Sequence, residues 1–105
     1  MATNRLEMLQ QMVSQNPDNS FARYGLAMEY ANSGALEKAI AEFENLVRQD
    51  ADYSAAYFHG GQALEKLGRL DDARHMYEKG IEVTTRKGDL HTRAEIEAAL
   101  NLLPL

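Results

Sequence analysis

Two consecutive stretches of 34 residues decide the fold. Residues 20–53 read SFARYGLAMEYANSGALEKAIAEFENLVRQDADY, and residues 54–87 read SAAYFHGGQALEKLGRLDDARHMYEKGIEVTTRK. A shift of 34 positions superposes six identical residues, namely Ser20/Ser54, Ala22/Ala56, Gly34/Gly68, Leu36/Leu70, Ala39/Ala73 and Glu44/Glu78. A fixed period of this length is typical of a repeat architecture. The chain is therefore predicted to stack two similar units.

Each unit reads as two helices joined by a glycine turn. In the first unit, Asp18 or Asn19 can cap a helix over residues 19–32, and Gly34 can supply the left-handed residue that ends it. A second helix over residues 36–49 carries its apolar residues at helical spacing: Leu36, Ala39, Ile40, Phe43, Leu46 and Val47. The second unit repeats this plan with helices over residues 53–67 and 70–83. No segment alternates apolar and polar residues for long, so the predicted fold class is all-α.

The flanks are predicted to complete the stack. Asn4 and Glu7 have the spacing of a capping box, and the helix that follows has the apolar stripe Leu6, Leu9, Met12 and Val13. Asp89 can cap a last helix over residues 90–102. We expect one domain over residues 1–105, with an N-terminal half-repeat helix at 4–16, repeat 1 at 19–52, repeat 2 at 53–87 and a C-terminal capping helix at 89–103.

The composition narrows the class of partner. The chain has 11 basic and 16 acidic residues, a net charge of -5 and no cysteine. Nucleic-acid binders need a surplus of Lys and Arg to neutralise phosphates. No apolar run approaches the roughly 18 residues of a membrane span. These properties argue against nucleic acid and membranes as partners, and they favour a cytoplasmic protein.

The spacing of the packing residues resembles the tetratricopeptide-repeat (TPR) family. That family has an aromatic residue, Leu-Gly, Tyr, an Ala and Phe four apart, and Pro in a 34-residue unit. The matching positions are Arg23, Leu26-Ala27, Tyr30, Ala39 and Phe43 in unit one, and Tyr57, Gly60-Gly61, Leu64, Ala73 and Tyr77 in unit two. The closing proline is present only as Pro17. The resemblance implies a right-handed α-α superhelix, or solenoid, of about six antiparallel helices.

No residue pattern indicates catalysis. The three histidines, His59, His75 and His91, lack the spacing of a helical metal site. Gly60-Gly61 falls within a helix, which favours tight packing over phosphate binding, and Gly80 is interpreted in the same way. The carboxylates are interpreted as a solvated surface, with Glu44 paired to Arg48 at i, i+4. We therefore expect no enzyme activity, no metal and no cofactor.

The resemblance also implies a binding surface, because the first helix of each TPR unit lines a concave groove. The corresponding positions are Phe21, Tyr24, Met28 and Asn32 in unit one, and Ala55, Phe58, Gln62 and Lys66 in unit two. The spacing of Phe21, Tyr24 and Met28 independently forms a second apolar stripe on its helix. The hypothesis is an apolar, aromatic groove that binds a peptide or helix of a partner protein. The alternative is that the terminal helices cover Phe21, Tyr24, Met28 and Phe58.

Two further interpretations concern the kind of partner. One TPR subtype grips a C-terminal carboxylate with Lys, Asn and Arg. Here the matching positions hold Tyr24, Met28, His59 and Gln62, with only Lys66 basic nearby, so no carboxylate clamp is expected. At the C-terminus, Leu100, Leu102, Leu103 and Leu105 surround Pro104. They either cap the stack or form a homodimer through the C-terminal helix, which would make the chain a self-associating structural element.

Overall fold

The computed structural model describes residues 4–104, and that part of the chain forms six helices and no strand. They are α1 (Arg5–Gln15), α2 (Ser20–Asn32), α3 (Leu36–Gln49), α4 (Ser54–Lys66), α5 (Leu70–Lys87) and α6 (Leu90–Leu102). The all-α prediction is confirmed. The molecule is elongated, with extents of 46 × 28 × 20 Å. Between residues 4 and 104, no helix combines the length and apolar character that crossing a membrane requires.

The predicted caps begin the helices. The Asn19 side-chain oxygen accepts a hydrogen bond from the Ala22 amide at 3.0 Å, and Asp89 accepts one from the Thr92 amide at 3.3 Å. Asn4 accepts from the Glu7 amide at 2.8 Å, but its own side-chain amide bonds the Glu7 carboxylate, so only half of the capping box forms. Gly34 and Gly68 have φ values of 86° and 84°, the left-handed conformation that ends a helix.

Two local predictions were wrong. The last helix of unit two was expected to end at Val83, but α5 continues for another turn to Lys87. The β-branched residues there are weak helix formers, and burial compensates: Thr84 is fully buried and its hydroxyl donates to the Gly80 carbonyl at 2.8 Å. The Glu44–Arg48 pair does not form either. Arg48 instead donates to the Asn45 side chain one turn back.

Helices adjacent in sequence pack against each other along the whole stack. In addition, α4 contacts both α2 and α6, whereas no such contacts join α1 to α3 or α3 to α5. The helices α2, α4 and α6 therefore crowd together on the inner side of the stack. The helices α1, α3 and α5 lie apart on the outer side, which gives the stack its curvature.

Small residues bring the helices close together, as predicted. A Cβ added to Gly61 would lie 2.6 Å from Cδ1 of Tyr77, and one added to Gly80 would lie 2.7 Å from Cβ of Tyr57. Both distances are too short for real atoms, so these positions accept only glycine without rearrangement. Around them lies one continuous core, whose largest fully buried side chains are Tyr77, Phe43, Leu46, Leu64, Ile96 and Thr84.

Helix α6 takes the place of the first helix of a third unit. The first helices start at Ser20, Ser54 and Leu90, so the spacing is 34 residues and then 36. In this register Ile96 matches Gly60, and Glu97 matches Ala27 and Gly61. Glu97 pairs with Arg93 at 3.5 Å. Glu97 thus occupies the position where the complete units hold a small residue, Ala27 or Gly61, against their second helix.

Candidate binding groove

The seven predicted binding residues, which are the groove positions other than Ala55, lie on α2 and α4, the inner helices of the two complete units. Phe21 is 75% exposed at the start of α2. Asn32 and Lys66 are exposed at the ends of α2 and α4, and Tyr24, Met28, Phe58 and Gln62 are half-buried between them. The groove therefore has an apolar end near the helix starts and a polar end near the helix ends.

At the polar end, four of the predicted residues come together. A cleft of about 180 Å³ lies between α2 and α4, and its walls include Met28, Asn32, Gln62 and Lys66. Leu36 and His59 line it as well. Both side-chain amides offer a donor and an acceptor, while Lys66 offers only donors. The cleft can thus bind a polar main chain beside an apolar side chain.

At the apolar end, Tyr24 is the centre of an aromatic cluster. Its ring centroid lies 5.2 Å from that of Tyr53, 5.9 Å from that of His59 and 6.4 Å from that of Phe43. Phe58 joins the cluster through His59, with ring centroids 5.1 Å apart. Separations of this size are typical of favourable aromatic pairs. Tyr24 is therefore held in place by neighbours from the turn before α4, from α3 and from α4.

The alternative that the terminal helices cover the apolar stripe fits only part of it. Tyr24, Met28 and Phe58 pack against the core and are half-buried, but Phe21 is not covered. Helix α6 approaches the covered part, because the Glu95 carboxylate is near enough to influence Tyr24 and His59. The groove surface is thus a mixture of core and accessible residues.

Burial alters the acidity of the two central groups. It raises the pKa of the Tyr24 phenol, and Tyr53 and Glu95 add to this effect. It lowers the pKa of the His59 imidazole, which Glu95 opposes and Lys66 reinforces. The lowered pKa favours the neutral imidazole, in which one ring nitrogen can donate a hydrogen bond and the other can accept one.

Several groove residues were missed from the sequence. Tyr53 belongs to the aromatic cluster, and α6 adds a third strip at the positions that match α2 and α4. His59, which the sequence placed only at a position of the absent clamp, belongs to the cluster as well. Counted from the Asp89 cap, that strip holds the exposed residues His91, Ala94, Ala98 and Leu102. The cap was visible in the sequence and could have set this register. The change in spacing from 34 to 36 residues concealed it.

Two other features complete the surface. A second cleft, of about 350 Å³, lies on the outer side between α3 and α5, with Val47, Tyr57 and Met76 among its walls. Among residues 4–104, no group of three or more His, Cys, Asp or Glu side chains could hold a metal ion. At the C-terminus, Leu103 is buried and Leu100 packs on the core, whereas Leu102 is 83% exposed. Leu105 lies outside the described residues.

The chain resembles known proteins along most of its length. Two tetratricopeptide-repeat models match it, one over residues 6–60 and the other over residues 54–85. The TPR repeat-containing protein PA0015 of Pseudomonas aeruginosa is 32% identical over 98 residues, which cover 93% of each chain. Among solved structures, a TPR domain protein of Salinibacter ruber is 39% identical, with a TM-score of 0.74, over 78% of this chain and 91% of that one.

A second solved structure, that of YrrB, superposes with a TM-score of 0.82. It is 25% identical, and the match covers 92% of this chain and 47% of YrrB. YrrB is described as a TPR protein with an unusual peptide-binding site. The same family is indicated by both family models, by the relative of almost equal length and by the stack of helices. The chain belongs to the tetratricopeptide-repeat family.

Proposed function

We propose that the chain is a protein-interaction module whose inner groove binds an extended peptide or a helix of another protein. The observation that carries this proposal is the exposed Phe21 ring, which continues an aromatic surface toward the polar cleft of α2 and α4. Exposed aromatic surface beside polar side chains is typical of interfaces. The peptide-binding site of YrrB, which has the same fold, supports the same use of this chain.

The two ends of the groove have different roles in this proposal. Phe21, Tyr24, Met28 and Phe58 bury apolar side chains of the ligand. Asn32 and Gln62 bond its main chain, and Lys66 pairs with an acidic group. The ligand is not held by a carboxylate clamp, because Tyr24, Met28, His59 and Gln62 occupy the clamp positions.

The test is a pull-down of partner proteins from an extract of the native cell, followed by measurement of their affinity for the natural chain and for a variant that leaves the core intact. Replacing Tyr24 and Phe58 by Ala would also remove contacts with the core, so exposed groove residues are the better choice. We expect Phe21→Ser with Lys66→Ala to weaken partner binding at least about tenfold, a loss of roughly 1.4 kcal/mol. The matched control is Lys79→Ala with Glu82→Ala, a surface pair on α5. Equal binding by both double variants would contradict the proposal.

A second candidate function is self-association through α6, as a structural element. It is favoured by Leu90 and Leu102, which are 70% and 83% exposed. Self-association along α6 would remove both of these apolar side chains from water. Light scattering over a range of concentrations tests it, with Leu90→Ser and Leu102→Ser together as the variant. A monomeric mass at every concentration would exclude this candidate.

A further inference from the structure

His59 has a different environment from the other two histidines. Its ring is half-buried between Tyr24 and Phe58 and also forms part of the wall of the polar cleft. His75 and His91 are exposed. The imidazole therefore joins the apolar end of the groove to its polar end, and a ligand that spans both ends must pass over it.

Few charged groups act on this ring. The Glu95 carboxylate of α6 favours its charged form, and the Lys66 ammonium, on its own helix, disfavours that form. Glu95 also lies 3.7 Å from Nε2 of the exposed His91 on α6. The neighbours from α2 and from the turn before α4 are the neutral phenols Tyr24 and Tyr53. From α3, Phe43 approaches the cluster through Tyr24, and α5 packs on the opposite side of α4, at Gly61. Glu95 is thus the one carboxylate among these neighbours that can stabilise a protonated His59.

We propose that His59 makes the groove pH-sensitive, so that a ligand covering Tyr24 and Phe58 binds when the ring is neutral and is released when the ring is protonated. This inference rests on the proposed function of the groove. It names a regulation of that site, which the family resemblance does not imply.

The physical reason is competition between ligand and water for the imidazole. The ring already loses part of its hydration in the free protein, and this burial lowers its pKa. An apolar ligand side chain above it removes more water and disfavours the charged form further. Binding and protonation therefore oppose each other, and linkage requires each to weaken the other by the same factor.

Glu95 strengthens this opposition. In the free protein the Glu95 carboxylate favours the protonated ring, and a ligand lying between the two groups would weaken this stabilisation. Affinity is full above the pKa of His59 in the free protein and falls as the pH drops through it, by at most about tenfold per pH unit.

The first measurement is an NMR titration of the His59 ring in the free protein. We expect its midpoint to lie below the usual histidine value of about 6.5. Glu95→Gln should lower it further, because the variant removes the stabilising charge. A midpoint at or above the usual value, or one that Glu95→Gln leaves unchanged, would overturn the inference without bearing on peptide binding.

The second measurement uses peptides without His, Asp or Glu, selected from a random display library on the immobilised protein at about pH 7.5. We expect their affinity for the natural chain to fall about fivefold or more by about pH 5.5, as His59 takes up a proton. His59→Gln should bind with little pH dependence. His75→Gln, a change on the exposed surface of α5, should behave like the natural chain.

The outcomes separate the two proposals. Peptides that bind Phe21→Ser, Lys66→Ala as well as the natural chain, or a selection that yields no binder, would count against the groove itself. Peptides that need the groove but lose the same affinity on acidification in His59→Gln would overturn only the role of His59.

Discussion

The ring of Tyr77 occupies the space into which a side chain at position 61 would project. A Cβ on Gly61 would lie 2.6 Å from Cδ1 and 2.7 Å from Cζ of that ring. Tyr77 cannot move aside easily, because it is fully buried and its hydroxyl donates to the Glu65 carboxylate on α4. The close packing of α4 on α5 therefore depends on the absence of a side chain at position 61.

Replacing Gly61 by Ala should lower the free energy of unfolding by about 1–3 kcal/mol, the usual cost of overpacking. This range is the net loss that we expect after the gain of about 1 kcal/mol that Ala brings to a helix interior. Urea unfolding measures it. The matched control is Gly25→Ala, where the nearest atom is the end of the Leu9 side chain, Cδ2 at 3.0 Å. Equal effects at the two positions would contradict this account of the contact.

Ala27 and Ala73 should resist enlargement for the same reason. Both are completely buried, one on the first helix of unit one and the other on the second helix of unit two. We expect Ala27→Leu or Ala73→Leu to destabilise the fold by about 1–3 kcal/mol. Ala94 is exposed on α6 and serves as the control, since Ala94→Leu meets no core atoms. Thermal melting that ranks Ala94→Leu with the other two would refute the prediction.

The pair formed by Arg23 and Glu42 offers a test by double mutation. Their side chains are 12% and 21% exposed, and the Nη1–Oε1 distance is 2.6 Å. Glu42→Ala alone removes the carboxylate and leaves the guanidinium only its bond to the Pro17 carbonyl at 3.2 Å, so it should cost about 1–3 kcal/mol. Adding Arg23→Tyr, which copies Tyr57 in the second unit, should recover part of this loss. Strict additivity of the two changes in a double-mutant cycle would show that the pair contributes nothing.

The stability of the chain should depend on pH through His59. Burial lowers the pKa of His59 in the folded state, so the unfolded chain binds the proton more readily. The free energy of unfolding is at its full value, as far as His59 is concerned, above the unfolded pKa of about 6.5. It decreases as the pH falls through that value toward the folded pKa. The urea midpoint should therefore drop between about pH 7.5 and pH 5.5, and it should drop less in His59→Gln. An identical drop in the variant would assign the effect to other groups.

The helices of this fold could be predicted because their ends have strong local signals. Asn19, Asp89, Gly34 and Gly68 act through neighbouring backbone groups, which sequence spacing reveals directly. The end of α5 was placed one turn early, at Val83, because the 34-residue repeat makes that position equivalent to Gln49, the end of α3. Gly88, with φ 74°, ends the helix and gives the same local signal as Gly34 and Gly68. The burial of Thr84 that stabilises the extra turn shows in no local pattern.

In the candidate site, too, the positions that the repeat sets could be predicted, whereas the contacts that the stacking sets could not. The repeat register placed Met28, Asn32, Gln62 and Lys66 around one cleft, because equivalent positions of successive units face the same side. The pairing of Tyr24 with Tyr53 and His59 depends on how the units stack. Contacts between units are set by the superhelix, which the sequence of one unit does not determine.

The three inner helices also limit the number of ligand residues that the groove can contact. Neighbouring helix axes lie about 8–10 Å apart, so α2, α4 and α6 span about 20 Å. An extended peptide advances about 3.3 Å per residue, which gives a footprint of about six residues. Alternate side chains of such a peptide face the protein, so only about three can be discriminated. Recognition of only three side chains gives limited specificity. A partner that presented its motif twice would gain selectivity through avidity.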